Sequence, residues 1–158
     1  MICKEKDIAL FQNLRLDGRM SLTELSRRTK LPISTIYERL RLHYGDIIKK
    51  YTVVLDFTKL GYNVRVHFII KVDKNNKQEL FVYLKKHRNV NNLYRINNGY
   101  DYLCEGIFEH MQESEKFTEI LEEKYSVKKV QSYYILEDLK HEEFFGKENG
   151  IHWYFPKQ

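Results

Sequence analysis

The apolar positions change their period along the chain. Over 7–16 they fall at Ile8, Leu10, Phe11 and Leu14, the spacing of one helix face, and Asp17-Gly18 ends the run. Ser21 opens a second helix with a capping box: its hydroxyl accepts from the Glu24 amide and the Glu24 carboxylate reaches back to the Ser21 amide, with Leu22 and Leu25 facing inward. Lys30-Leu31-Pro32 makes a tight turn. Pro32 suits a helix start, where its missing N–H would have had no partner. A third helix is expected over 33–44. Ile36, Leu40 and Tyr44 lie four apart and predict its buried stripe, while Ser34, Tyr37, Glu38 and Arg41 form a second stripe on another face.

From residue 48 the period becomes two. A strand is expected over 48–55, then a linker over 56–62 that turns at Gly61. Over 63–72, Val64, Val66, Phe68, Ile70 and Val72 share one strand face, with Arg65, His67 and Lys71 opposite. Residues 77–87 read as a helix with Leu80, Tyr83 and Leu84 on one side. Strands follow over 90–97 and 100–108, with Asn98-Gly99 between them as a hairpin turn in which both central residues tolerate positive φ. A helix over 113–125 turns Phe117, Ile120, Leu121 and Tyr125 inward, and a strand over 127–136 closes the pattern. The order β-α-β-β-α-β predicts a ferredoxin-like unit, two helices over one antiparallel sheet. The sheet face bearing Ile69, Leu103, Ile107 and Ile135 then needs a cover, and a second copy of the chain is the simplest one.

The fold class is therefore α+β. A helix-turn-helix domain spans 1–50, a connecting strand and linker 51–62, a ferredoxin-like domain 63–145, and an aromatic tail 146–158 that holds His152, Trp153, Tyr154 and Phe155. Charge separates the two ends. Residues 1–50 carry 11 Lys and Arg against 6 Asp and Glu, whereas 51–158 carry 16 against 16, so the whole net charge of +5 sits on the helical front end. That asymmetry predicts a polyanionic partner for the helices, double-stranded DNA. On the exposed stripe, Arg41 suits a guanine edge, Glu38 a cytosine amine, and Ser34 either; Thr35 and Tyr37 complete the set expected to contact bases. Ser21, Arg27, Arg28, Lys30, Arg39, Lys49 and Lys50 are expected at phosphates, which fix position rather than sequence.

Other chemistry is not signalled. Two cysteines far apart, Cys3 and Cys104, make no disulfide framework and suggest a reducing, cytoplasmic setting. The six His are scattered without zinc-ligand spacing, so neither a metal nor another cofactor is expected. No nucleophile–base pair or phosphate loop is evident, no catalytic residue is assigned, and no apolar run nears the roughly 18 residues of a membrane helix.

The stretches DGRMSLTELSRRTKLPISTIYERL, IIKKYTVVLDFTKLGYNV, NNGYDYLCEGIF and VKKVQSYYILEDLK resemble the Lrp/AsnC, or feast/famine, family of transcription regulators over about residues 6–143. The resemblance implies a sequence-specific DNA-binding regulator that dimerises through its C-terminal sheet and often assembles further, to octamers. It also implies an amino acid or similar metabolite as effector near the hairpin, at Asn98, Gly99, Tyr100 and Asp101. In that hairpin Asn98 stands where the family commonly has Gly, and Gly99 stands at an often acidic position. Two alternatives remain at this stage. One is a weakly selective architectural DNA-binding or metabolite-sensing protein. The other is an enzyme like the sirohaem decarboxylases, whose typical His-Asn-Tyr and Tyr-Asn-Trp-Phe-like stretches are not found.

Overall fold

The computed structural model describes residues 5–146. The aromatic run 152–155 lies outside them. The chain forms two compact units: residues up to Val54 together with the segment from Leu139, and Leu55–Asp138.

The first unit is three helices, α1 (Glu5–Leu16), α2 (Leu22–Thr29) and α3 (Ile33–His43). Ser21 caps α2 as its sequence requires, its hydroxyl accepting the Glu24 N–H at 3.2 Å. The reciprocal half of the capping box is replaced: the Glu24 carboxylate takes Arg27 and Arg28 instead. Lys30 ends α2 in a left-handed conformation, φ 58°, and its N–H bonds the Ser26 carbonyl. Pro32 then caps α3. Leu10, Leu25, Leu31 and Ile36 make the core, with Leu14, Met20, Leu22 and Leu40 against it.

Two expectations fail here. Tyr44 is 61% exposed and stacks on Tyr51, whereas His43 is 5% exposed and meets the Phe11 ring edge at 5.2 Å. Helix phase explains this. At about 100° per residue, position 43 lies roughly 20° from Ile36 around the axis, and position 44 roughly 80°. The expected strand over 48–55 is also absent. Only an isolated bridge, Tyr44 to Ile48, forms there, and Tyr51, Val53, Val54 and Leu55 are exposed. The alternation is present in sequence, but a strand needs a ladder partner, and none of the described residues supplies one.

The segment from Leu139, expected in the ferredoxin-like domain as far as 145, groups with these helices. Arg15 is the reason. Its Nη2 donates to the Glu142 carbonyl at 2.6 Å and the Glu142 carboxylate at 2.8 Å, and its Nε to the Phe144 carbonyl at 3.2 Å.

The second unit begins with a 3-10 turn (Thr58–Leu60) closed by Gly61 at φ 92°. Then come β1 (Val64–Val72), α4 (Lys77–Lys86), β2 (Val90–Arg95), β3 (Tyr102–Phe108), α5 (Met111–Tyr125) and β4 (Val127–Tyr134). The sheet runs β2-β3-β1-β4 with every neighbour antiparallel. Val66, Phe68, Ile70 and Val72 alternate onto one face of β1. There they are buried with Leu80 and Leu84 of α4, Phe117 and Leu121 of α5, and Cys104 and Phe108 of β3. Alternation fixes the register, because a one-residue slip would move this whole set to the other face. The opposite face mixes charge and apolar groups. Ile69, Leu103 and Ile135 are half-buried, but Ile107, expected to need a cover, is already only 7% exposed. Glu105 lies on the same face, accepting from Asn91 at 2.8 Å and from Asn92, with Arg65 and His67 each 3.7 Å away.

Candidate nucleic-acid interface and ligand cleft

The residues expected on base edges project from α3. Ser34, Tyr37, Glu38 and Arg41 are exposed, and Thr35 is half-buried. The other side of α3 is fixed by Ile36 in the core and by His43 against Phe11. Ile33 and Leu42 are exposed beside this row, at 46% and 62%. Sequence reading missed both, although a large apolar residue off the buried phase of an amphipathic helix is a visible signal.

The cations expected at phosphates fall into two groups. Ser21, Arg27, Arg28, Lys30, Lys49 and Lys50 are exposed, yet Arg27 and Arg28 both pair with Glu24 at 2.6 Å. Their side-chain bonds pull the Glu24 carboxyl down to about 2, so it stays charged between them. Arg39 is different. It is half-buried and its Nη1 bonds Asp7, which is 4% exposed and also has His43 Nε2 at 3.5 Å. Arg39 therefore ties α3 to α1. Among the described residues the side chains of Lys30, Arg41 and Lys50 make no hydrogen bond or ion pair, and Lys49 makes only a long bond of 3.4 Å to the Gly45 carbonyl.

In the second unit Asn98 and Gly99 take φ 58° and 83°, the two left-handed positions of a tight hairpin turn, which closes with the Tyr100 N–H on the Asn97 carbonyl at 3.4 Å. Tyr100 is half-buried, with the Lys129 ammonium 5.7 Å from its ring centre. Of the four hairpin residues only Asp101 lines the adjacent cleft. That cleft holds about 320 Å³, bounded by Lys77, Gln78 and Phe81 from α4, Leu93 and Arg95 from β2, Asp101, and Tyr102 from β3. Phe81 and Tyr102 stack at 6.5 Å, and the Tyr102 hydroxyl donates to the Lys77 carbonyl at 3.1 Å. Sequence reading missed Lys77, Phe81, Arg95 and Tyr102 as a group. They come from three elements, and no local pattern joins them.

Asp101 is already engaged. Its Oδ1 takes Lys77 Nζ at 2.5 Å, its Oδ2 accepts the Val72 N–H at 3.0 Å, and Lys71 Nζ lies 3.5 Å from Oδ2. Burial pushes the Asp101 carboxyl up, but the bonds from Lys77 and the Val72 amide and the charge of Lys71 outweigh it. The group is held below the usual carboxylate range.

A three-helix reader joined to an antiparallel β-α-β-β-α-β unit with a lateral cleft is the plan of a ligand-responsive DNA-binding regulator. The comparisons agree. Residues 65–143 match the model of the Lrp/AsnC ligand-binding domain, and the chain belongs to the Lrp/AsnC family. The HTH-type transcriptional regulator FL11 of Pyrococcus furiosus is 31% identical over 121 residues, covering 76% of this chain and 80% of the relative. Its Pyrococcus horikoshii counterpart is 30% identical over 118 residues, 74% of this chain and 78% of that protein. LrpC of B. subtilis superposes with a TM-score of 0.80 at 25% identity, covering 89% of this chain and 99% of that one. The regulator NMB0573 of Neisseria meningitidis, solved as an L-Met complex, shares the fold with a TM-score of 0.80 at 23% identity, over 89% of this chain and 94% of that one.

No helix among the described residues is long and apolar enough to cross a membrane. The Cys104 thiol is buried on β3, and burial pushes it up to about 12, which removes it as a nucleophile near neutral pH.

Proposed function

We propose that the chain is a sequence-specific, DNA-binding transcription regulator that acts as a homodimer or larger assembly and responds to a small metabolite in the Lys77–Tyr102 cleft. The observation that carries the reading is the exposed row Ser34, Tyr37, Glu38 and Arg41, on a helix whose opposite side is locked into a core. Such a row fits a major groove edge-on. Its mixture of donors, acceptors and an aromatic ring suits reading bases rather than gripping phosphates alone. A second copy would cover the half-buried Ile69, Leu103 and Ile135 on the open sheet face. Two linked readers would then recognise a pseudo-palindrome.

The relatives are HTH-type transcriptional regulators, which favours a regulator over an enzyme. An architectural role with little sequence preference is the competing reading. Selection of bound sites from random DNA by the full chain separates the two. A recurrent motif with two half-sites, lost in Arg41→Ala but kept in Lys50→Ala, supports a specific regulator. Recovery of unenriched sequence by the wild-type chain overturns it.

A further inference from the structure

The cleft has more positive than negative charge, and its one carboxylate is spent. Asp101 is flanked by Lys77 at 2.5 Å and Lys71 at 3.5 Å, and its side chain is only 8% exposed. Arg95 lies on the cleft wall and is exposed, and its guanidinium makes no hydrogen bond or ion pair among the described residues. A free α-amino acid brings an ammonium and a carboxylate together. The carboxylate would be well served by the Arg95 fork and by Lys77. The ammonium would not. To reach Asp101 it must displace a lysine already held there by the fold, and it would then sit beside two like charges. Phe81, Tyr102 and Leu93 supply an apolar wall for a short alkyl or aromatic body.

We propose that the effector of this cleft is a small carboxylate without an ammonium group, such as a 2-oxo acid. Arg95 holds the carboxylate, Lys77 is the second donor, and Asp101 keeps Lys77 in place rather than meeting the ligand. This rests on the reading of the cleft as the effector site.

The test uses matched pairs that differ only at the carbon next to the carboxylate: 4-methyl-2-oxopentanoate with leucine, and phenylpyruvate with phenylalanine. Each is titrated into the full chain by calorimetry, with thermal melting alongside. At least one oxo acid is expected to bind about tenfold or more tighter than its amino acid, the scale of one charge-assisted hydrogen bond. Arg95→Ala, a surface change that breaks no bond in the fold, is expected to weaken that oxo acid about tenfold and leave the ligand-free melting temperature unchanged. Arg95→Lys should recover part of the affinity. Equal or tighter binding of the amino acids overturns the proposal and leaves a metabolite cleft intact. Oxo-acid binding that is indifferent to Arg95→Ala overturns the assigned geometry. If no member of either pair binds, the effector reading of the cleft falls, and this proposal with it; the DNA-binding reading stands or falls on the site selection alone.

Discussion

Asp7→Ala is the sharpest perturbation of the DNA-reading unit. Asp7 is 4% exposed, joins Arg39 through Oδ1, and has His43 Nε2 at 3.5 Å. Removing one partner of a fully buried ion pair costs about 3–5 kcal/mol, because the other charge is left without solvent. Arg39 retains 22% of its side-chain surface, so it can turn to water and avoid most of that penalty. What remains is the loss of a charge-assisted hydrogen bond and of packing near Phe11, about 2 kcal/mol. On a unit of this size the melting point should fall by about 10 °C. Arg39→Ala should cost a similar amount. The double variant should cost about 1–2 kcal/mol less than the sum of the two, because both changes remove one interaction. Urea unfolding of the full chain, followed by circular dichroism, measures all three. Strict additivity, or single losses under about 0.5 kcal/mol, would refute the pairing. DNA binding gives a second check. The salt dependence of affinity should lose about one counterion in Lys50→Ala and almost none in Arg39→Ala, whose charge Asp7 already balances.

Three further outcomes are expected. Gly106→Ala should destabilise the ferredoxin-like unit by about 1–3 kcal/mol, because a Cβ there would press on the Phe108 ring and lie 2.9 Å from the Phe68 ring; an unchanged urea midpoint would count against this packing. The Asp101 carboxyl is depressed in the folded state, so its contribution is complete above the ordinary carboxylate range near pH 4 and disappears as pH falls through its folded value. The free energy of unfolding measured from pH 6 to pH 2 should therefore fall less steeply in Asp101→Asn than in the parent, and parallel curves would contradict this. In a Cys3→Ser variant, Cys104 should stay unlabelled by a thiol reagent at pH 8 until urea unfolds the chain; rapid labelling of the native protein would contradict its burial.

Local devices were readable and long-range ones were not. Ser21, the Asn98-Gly99 turn and the alternation from Val64 to Val72 each act within a few residues, so the sequence displays their whole mechanism. The order of strands and helices followed from the same periods. The errors have two kinds of cause, a local phase drift and contacts made at long range. Tyr44 was placed inward because a four-residue step was extended past the second helical turn, where the phase had already drifted to His43. The alternation around Val53 promised a strand, but alternation says nothing about whether a partner is present. Arg39 and Asp7 are 32 positions apart, and Asp101 meets the Val72 amide across 29. Nothing near any of these residues announces the other end of the contact. The cleft was invisible for the same reason: Lys77, Arg95 and Tyr102 become neighbours only once α4 lies on the sheet.

Glu24, held between Arg27 and Arg28, has an effect beyond its helix. A polyanion approaching that surface meets guanidinium groups that are already half-compensated, so each contact expels less than one condensed ion. Grip should therefore be softer, and less sensitive to ionic strength, than a tally of arginines suggests. Selectivity between sites then has to come from contacts other than these two arginines.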